Sequence, residues 1–131
     1  HTTMSMSIMQ AGLQDGDMEV RRVACQSLGT HGGSEAAQAL AHVVRADTNV
    51  DVRIAAVRAL GDTRDKSALV PLAEVLTDPD PAVQYRAQES LRKISGHDYG
   101  SNVQAWREYA KTGNSSAAEV SFAERMRRAI F

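Results

Sequence analysis

The feature that most constrains this chain is an internal repeat. Three segments superpose, beginning at Asp17, Asn49 and Asp80. Their anchor valines stand 32 and then 31 residues apart: Val20, Val52 and Val83. Self-similarity at a fixed period of roughly 20 to 50 residues is typical of a stacked array of small units. The chain is therefore expected to fold as successive copies of one unit, each covering the next.

Each of these segments reads as a helix. An alanine follows the valine by four residues and a leucine follows it by eight: Ala24, Ala56, Ala87, Leu28, Leu60 and Leu91. This spacing places the three residues on one helical face. A polar residue opens each segment as an N-cap, and Asp80 is followed by Pro81, which suits the first helical position. We interpret Gly29 and Gly61 as C-terminal stops and expect the third helix to end at Gly96.

A second amphipathic helix follows each first helix, with apolar residues at i, i+3 and i+7. The sets are Met6, Met9 and Leu13; Ala37, Leu40 and Val44; Leu69, Leu72 and Leu76; and Val103, Trp106 and Ala110. The first set lies one repeat before the second, so the sequence begins within a unit. Pro71 requires its helix to start late, near Ser67 or Ala68. By register Trp106 belongs to the core, where it closes the end of the stack, and an aromatic recognition patch is the alternative.

Tandem helix pairs at this period predict an all-α fold, an α-solenoid of about three and a half repeats. The repeats span residues 4–111, followed by a linker at 112–118 and an amphipathic helix at 119–131. A composition of 43% hydrophobic and 24% charged residues supports a packed core and excludes an intrinsically disordered chain.

The segments LTDPDPAVQYRAQESLRKI and DVRIAAVRALGDTRDKSALVPLAEVL resemble the short bacterial HEAT-like repeats related to phycocyanobilin lyase repeats. The resemblance implies a right-handed superhelix with first helices on the convex side and second helices lining the concave side. It also implies that arginines following the valine stack against aspartates of the turns, which here are Arg21, Arg53, Asp15, Asp47 and Asp78. This places Arg53 near Asp15 or Asp47. Gln84 departs from the arginine pattern and suits a capping unit.

The residue pattern contains no recognisable catalytic or metal-binding motif. The four histidines, His1, His31, His42 and His97, lack the spacing of zinc or iron ligands. One enzyme branch of the family that the repeats resemble, deoxyhypusine hydroxylase, holds di-iron with His-Glu dipeptides, and this sequence has no such dipeptide. Cys25 is the single cysteine, so an internal disulfide is excluded. We predict that Cys25 is a packing residue. We therefore expect a protein that is not an enzyme and binds no cofactor or metal.

Charge and hydropathy narrow the partner classes. Fifteen basic and sixteen acidic residues give a net charge of -1, which disfavours a dedicated nucleic-acid module. No run of about 18 apolar residues is present, so no membrane span is expected. No signal peptide is visible, and we expect a reducing, cytoplasmic location.

We predict that the protein is a scaffold or adaptor that binds a protein or peptide along the second-helix surface. The residues expected there lie off the apolar stripe: Ser7, Gln10, Gln38, His42, Val70 and Glu74. One alternative is a chaperone-like lyase or enzyme subunit, as in relatives that attach bilins. A nucleic-acid-binding HEAT-like protein is the less favoured alternative.

The two ends of the chain suggest further contacts. In the C-terminal helix, apolar residues are spaced i, i+4 and i+8 beside basic ones: Phe122, Met126, Ile130, Arg125 and Arg128. Docking on its own repeats or on another subunit is favoured over an anionic membrane surface. At the N-terminus, the stripe of Met6, Met9 and Leu13 lacks a partner helix in the sequence. A second copy, through its C-terminal helix, is a candidate to cover it and to form a homo-oligomer.

Overall fold

The computed structural model describes residues 3–114 and Ala129, and this part of the chain contains helices and no strands. The helices are α1 (Thr3–Gly12), α2 (Met18–His31), α3 (Gly33–Ala46), α4 (Val50–Thr63), α5 (Leu69–Val75), α6 (Pro81–Ser95) and α7 (Val103–Thr112). We call α2, α4 and α6 the first helices, and α1, α3, α5 and α7 the second helices. The predicted all-α arrangement of three and a half helix pairs is confirmed.

The helices stack as a solenoid. Helix α2 packs against α4, and α4 packs against α6, so the first helices form one continuous layer. The second helices form the other layer, in which α3 contacts α2 and α4 while α5 contacts α6 and α7. The aligned apolar residues of α4 and α6 are all fully buried: Val52, Ala56, Leu60, Val83, Ala87 and Leu91. Each unit therefore covers its apolar face with its neighbours, as repeat proteins do.

The predicted helix starts are confirmed by their caps. The side chains of Asp17, Asn49 and Asp80 each accept a hydrogen bond from the backbone N–H two residues later. Such caps satisfy backbone donors that the first helical turn leaves unpaired. Helix α6 ends at Gly96, as predicted, with a left-handed φ of 76°. Pro71 lies within the first turn of α5, which follows a 3₁₀ turn at Lys66–Ala68.

The interpretation of Gly29 and Gly61 as helix stops is wrong. Both glycines are buried inside helices that continue for two further residues. A β-carbon on Gly29 would lie 2.9 Å from the Cα of Ala59 on the next first helix. At Gly61 it would lie 2.6 Å from the Oγ of Ser90. These glycines are thus required because neighbouring first helices approach closely there.

The N-terminal end of the stack differs from expectation in two ways. Val20 does not share the buried environment of Val52 and Val83, because no first helix lies before α2 among the described residues. Met6 and Leu13, by contrast, are buried in the common core, and α1 packs against α2. Two residues of the predicted stripe are therefore covered within the chain, and Met9 is partly buried; a homo-oligomer stays a prediction.

The C-terminal end is closed by an aromatic cluster. Trp106 is fully buried, and its Nε1 donates a 2.9 Å hydrogen bond to the carbonyl oxygen of Gly100. Its ring packs edge-on against Tyr99, with centroids 4.8 Å apart, and against Tyr109, with centroids 6.3 Å apart. Because Trp106 and Tyr99 are both buried, the cluster acts as a core plug, as the register predicts, and these rings do not form a recognition patch.

The residues of the proposed C-terminal docking helix lie outside the described residues: Phe122, Arg125, Met126, Arg128 and Ile130. Within the described residues, every helix is too short or too polar to cross a bilayer.

Candidate functional site

A ladder of arginine and aspartate side chains runs along the turns between units. The Nε of Arg21 donates a 2.8 Å hydrogen bond to the Oδ2 of Asp47 in the next unit. Its Nη1 donates to the carbonyl oxygen of Asp15 at 2.9 Å, in the turn that precedes its own helix. Each arginine therefore bridges two successive turns, and the side chains of the pair are mostly buried. Charge-assisted bonds of this kind fix the register between units.

The ladder confirms the implied stacking but corrects the partner of Arg53. Its Nε faces the Oδ2 of Asp78 at 3.5 Å, whereas only the backbone carbonyl of Asp47 accepts from its Nη1, at 3.2 Å. The aspartate partner thus lies in the following turn, just as the partner of Arg21 does. Gln84 ends the series, since its amide still donates to the carbonyl of Asp78 at 2.6 Å but carries no charge for a further unit.

A groove crosses all three first helices. It has a volume of about 760 Å³ and is open to solvent. Its floor consists of small and medium apolar or hydroxyl side chains: Met18, Ile54, Ala55, Ala59 and Ser90. Neighbouring first helices approach each other closely at Gly29 and Gly61, which makes the floor continuous from α2 to α6. We call this surface the first-helix groove.

Charged side chains form the walls of the first-helix groove. Four acids and four bases line it: Glu19, Asp51, Asp62, Glu89, Arg22, Arg58, Arg86 and Lys93. Three ion pairs join Arg22 to Glu19, Arg86 to Glu89, and Lys93 to Asp62. The hydrogen bond from Arg22 lowers the pKa of the Glu19 carboxyl and the same bond raises the pKa of Arg22, so this pair stays ionised. Neither Asp51 nor Arg58 forms an ion pair within the described part of the chain.

The second helices carry a smaller groove of about 280 Å³. Of the predicted binding residues, Glu74 lines it, together with residues of α3 and α5 such as Arg45 and Pro71. Five of the six predicted residues are exposed: Ser7, Gln38, His42, Val70 and Glu74. Gln10 is partly buried, and its amide donates a 3.4 Å hydrogen bond to Glu35. Their role as a binding surface stays a prediction.

Other reactive side chains do not converge in the described part of the chain. Cys25 is fully buried, and desolvation raises the pKa of its thiol to about 12. A thiol held neutral in this way is a packing residue and a poor nucleophile. Residues 3–114 contain no group of three or more His, Cys, Asp or Glu side chains placed to hold a metal ion.

Stacked antiparallel helix pairs, locked by a repeating arginine–aspartate ladder, define an α-solenoid repeat protein. The family model described as HEAT repeats matches residues 43–116, which is more than half of the chain. The chain therefore belongs to the HEAT-repeat family. A search of curated proteins found no match.

Sequence reasoning misses the first-helix groove because it assigns the binding surface to the second helices. One signal for the groove is present in the repeat alignment. Gln26, Arg58 and Glu89 occupy the same register in the three first helices, and Asp62 and Lys93 share another. A polar position that recurs in every first helix indicates an exposed stripe across the stack. Only the side-by-side packing of these helices turns that stripe into one groove.

Proposed function

We propose that this protein is a non-catalytic binding module that receives a segment of a partner protein along the first-helix groove. The observation that carries the proposal is the continuity of the groove across α2, α4 and α6. A surface built from three rigid, stacked helices is preorganised, which reduces the entropy cost of binding. The floor offers apolar contact area and the walls offer charged groups that fix the orientation of the bound segment.

The charge pattern supports a polypeptide partner. Equal numbers of acidic and basic side chains line the groove, whereas a polyanion such as nucleic acid is bound by a surface with excess positive charge. Asp51 and Arg58 face the groove from the same helix and make no ion pair within the described residues. A partner segment that carries both charge signs would pair with both of them. The groove lining includes neither histidine nor cysteine, which supports a binding role over nucleophilic catalysis.

The second-helix surface is the other candidate for the same function. Val70 is a large apolar residue exposed on α5, and Glu74 lies one turn later in the smaller groove. An exposed apolar residue beside a groove offers an anchor point for a ligand. The groove on the second helices has the smaller volume, and its lining comes from α3, α5 and the turn after α5, whereas the first-helix groove is lined by three helices. We therefore favour the first-helix groove.

A displayed library of random peptides, selected on the intact chain, tests the proposal. Peptides recovered from it should lose about tenfold in affinity when Arg58→Glu reverses one groove charge, which corresponds to the removal of one well-placed ion pair. The matched control is Gln38→Glu, which adds a negative charge to the exposed second-helix surface and should leave the affinity unchanged. The reverse ranking of the two variants would assign binding to the second helices and contradict the proposal.

A further inference from the structure

Helix α4 supplies one complete face to the first-helix groove. Six of its residues line the groove, at i, i+3, i+4, i+7, i+8 and i+11: Asp51, Ile54, Ala55, Arg58, Ala59 and Asp62. This spacing is the stripe that one side of an α-helix presents along its axis. Helices α2 and α6 both pack against α4, and each adds four further lining residues. The groove therefore follows α4 along its length, with α2 and α6 as its two sides.

The groove has the length and the floor that a bound helix requires. From Asp51 to Asp62 the face of α4 covers about 16 Å, or about three helical turns. The floor residues Ala55, Ala59 and Ser90 are small and buried, so they allow another helix to approach closely. A trough of this kind matches the way in which an amphipathic helix lays its apolar face into a groove.

Two of the eight charged side chains that line the groove make no ion pair within residues 3–114. They are Asp51 and Arg58, both exposed and both on α4. The other six charges are joined in the three pairs described above. Between Asp51 and Arg58 lie Ile54 and Ala55, so α4 presents an acid, an apolar surface and a base in order. A complementary occupant carries a base against Asp51 and an acid against Arg58.

The spacing of these two charges favours a helical occupant. Asp51 and Arg58 are separated by a rise of about 10 Å along the helix axis. A second helix laid along α4 repeats this rise with residues seven positions apart, and such residues lie on nearly the same side of a helix. On one side of an extended strand, residues recur at about 7 Å and then at about 13 Å, so an extended segment matches the spacing less well.

We propose that the first-helix groove binds an amphipathic α-helix of a partner protein, laid along α4, with an acidic and a basic residue seven positions apart and apolar residues between them. The basic residue would pair with Asp51 and the acidic residue with Arg58, while the apolar side chains cover Ile54 and the small residues of the floor. This inference rests on the proposed function, because it concerns the same groove, and it adds the conformation and the sequence pattern of the bound segment.

Two displayed libraries, selected in parallel on the intact chain, are the probes. One randomises the exposed face of a helix within a stable helical hairpin, and the other consists of linear random peptides of about twelve residues, the length of three turns. We expect the helical library to yield binders with the proposed charge spacing, and linear binders to gain helical circular dichroism when they bind. A proline in the middle of a linear binder should weaken its binding by about tenfold or more, because it breaks the helix.

Charge reversal tests the contact with Arg58. Arg58→Glu should weaken the recovered helices by about tenfold, and exchanging the acidic residue of the bound helix for lysine should restore binding to this variant. The matched control is Arg45→Glu, which makes the same change of charge at an exposed residue of the second-helix layer. It should neither weaken binding nor favour the lysine-bearing helix. Thermal unfolding verifies that both variants are folded.

The two libraries separate failure of this inference from failure of the proposed function. Linear peptides that depend on Arg58 but bind without becoming helical, with no such binder from the helical library, would overturn the inference and leave the proposed function standing. If no binder from either library depended on Arg58, both would be overturned. A dimer of the chain that Arg58→Glu converts to monomer would assign the groove to a second copy and would also overturn the inference.

Discussion

Gly29 and Ala59 set the distance between α2 and α4. A β-carbon on Gly29 would lie 2.9 Å from both the Cα and the Cβ of Ala59, and 3.0 Å from its carbonyl oxygen. Since the Ala59 backbone belongs to a helix, it has little freedom to move aside. The spacing of the first helices, and with it the floor of the first-helix groove, depends on the absence of a side chain at this position.

Gly29→Ala is therefore expected to destabilise the protein, although alanine favours helices. Overpacking against a backbone costs about 1 to 3 kcal/mol, which outweighs the gain of about 1 kcal/mol in helix propensity. The measurement is the free energy of unfolding from urea denaturation. Gly16→Ala is the control, because no atom lies within 4 Å of a β-carbon there, and it should change stability by less than about 1 kcal/mol. Equal effects of the two substitutions would contradict the close-approach role.

The Arg21–Asp47 pair is expected to contribute more to stability than the exposed pairs do. A double-mutant cycle of Arg21→Gln and Asp47→Asn should give a coupling energy of about 1 to 2 kcal/mol, because the bond is charge-assisted and mostly buried. The same cycle on Arg86 and Glu89, an exposed i, i+3 pair, should give about 0.5 kcal/mol or less. Similar values for both pairs would show that the ladder does not hold the units together.

The buried thiol of Cys25 is expected to make the free energy of unfolding depend on pH above neutrality. Burial raises the pKa of its thiol from 9.0 to about 12, so the folded state holds the proton more tightly than the unfolded state. This stabilisation is fully present below about pH 9 and is lost as the pH rises through about 12. The loss follows a slope of about 1.4 kcal/mol per pH unit in that window.

The free energy of unfolding of the wild type should thus fall faster between about pH 9 and about pH 10.5 than that of Cys25→Ala, which has no thiol to titrate. Parallel pH profiles would contradict the raised pKa. A thiol reagent such as Ellman's reagent should also modify Cys25 at about pH 8 only under unfolding conditions, since the side chain is fully buried.

Trp106 is expected to dominate the stability of the C-terminal end. Trp106→Phe removes the hydrogen bond to Gly100 and leaves a cavity beside Tyr99, at a cost of about 2 to 3 kcal/mol. Tyr85→Phe, at an exposed aromatic, should change stability by about 0.5 kcal/mol or less. The fluorescence of the single tryptophan should be blue-shifted in the folded protein and shift to red on unfolding. A solvent-exposed emission spectrum would contradict its place in the core.

Much of the fold could be predicted because the repeat encodes it locally. Valine, alanine and leucine at i, i+4 and i+8 define a helical face in any helix, and the caps at Asp17, Asn49 and Asp80 depend only on neighbouring backbone groups. The two internal glycines could not be interpreted in the same way. A glycine that permits a left-handed C-cap and a glycine that permits close helix packing are the same residue in sequence, and only the neighbouring helix distinguishes Gly29 from Gly96.

The candidate site was less predictable than the fold. Which helix layer carries the larger of the two grooves depends on how the units rotate against each other, and that rotation is set by contacts such as Gly61 with Ser90. The direction of the ladder, from Arg53 to Asp78, likewise depends on which turn lies next in space. The repeat alignment shows that these positions recur, but it does not show which recurring positions face each other.

The most direct test of the first-helix groove as the binding surface is site-specific photo-cross-linking to a bound partner. The photoreactive residue p-benzoylphenylalanine replaces Gln26 in the groove in one variant and Gln38 on the second-helix surface in the other, both of which are exposed. The partner is the protein or selected peptide that the wild-type chain retains. If the first-helix groove is the binding surface, we expect a cross-linked product from the Gln26 variant and none from the Gln38 variant. A product from the Gln38 variant alone would contradict it.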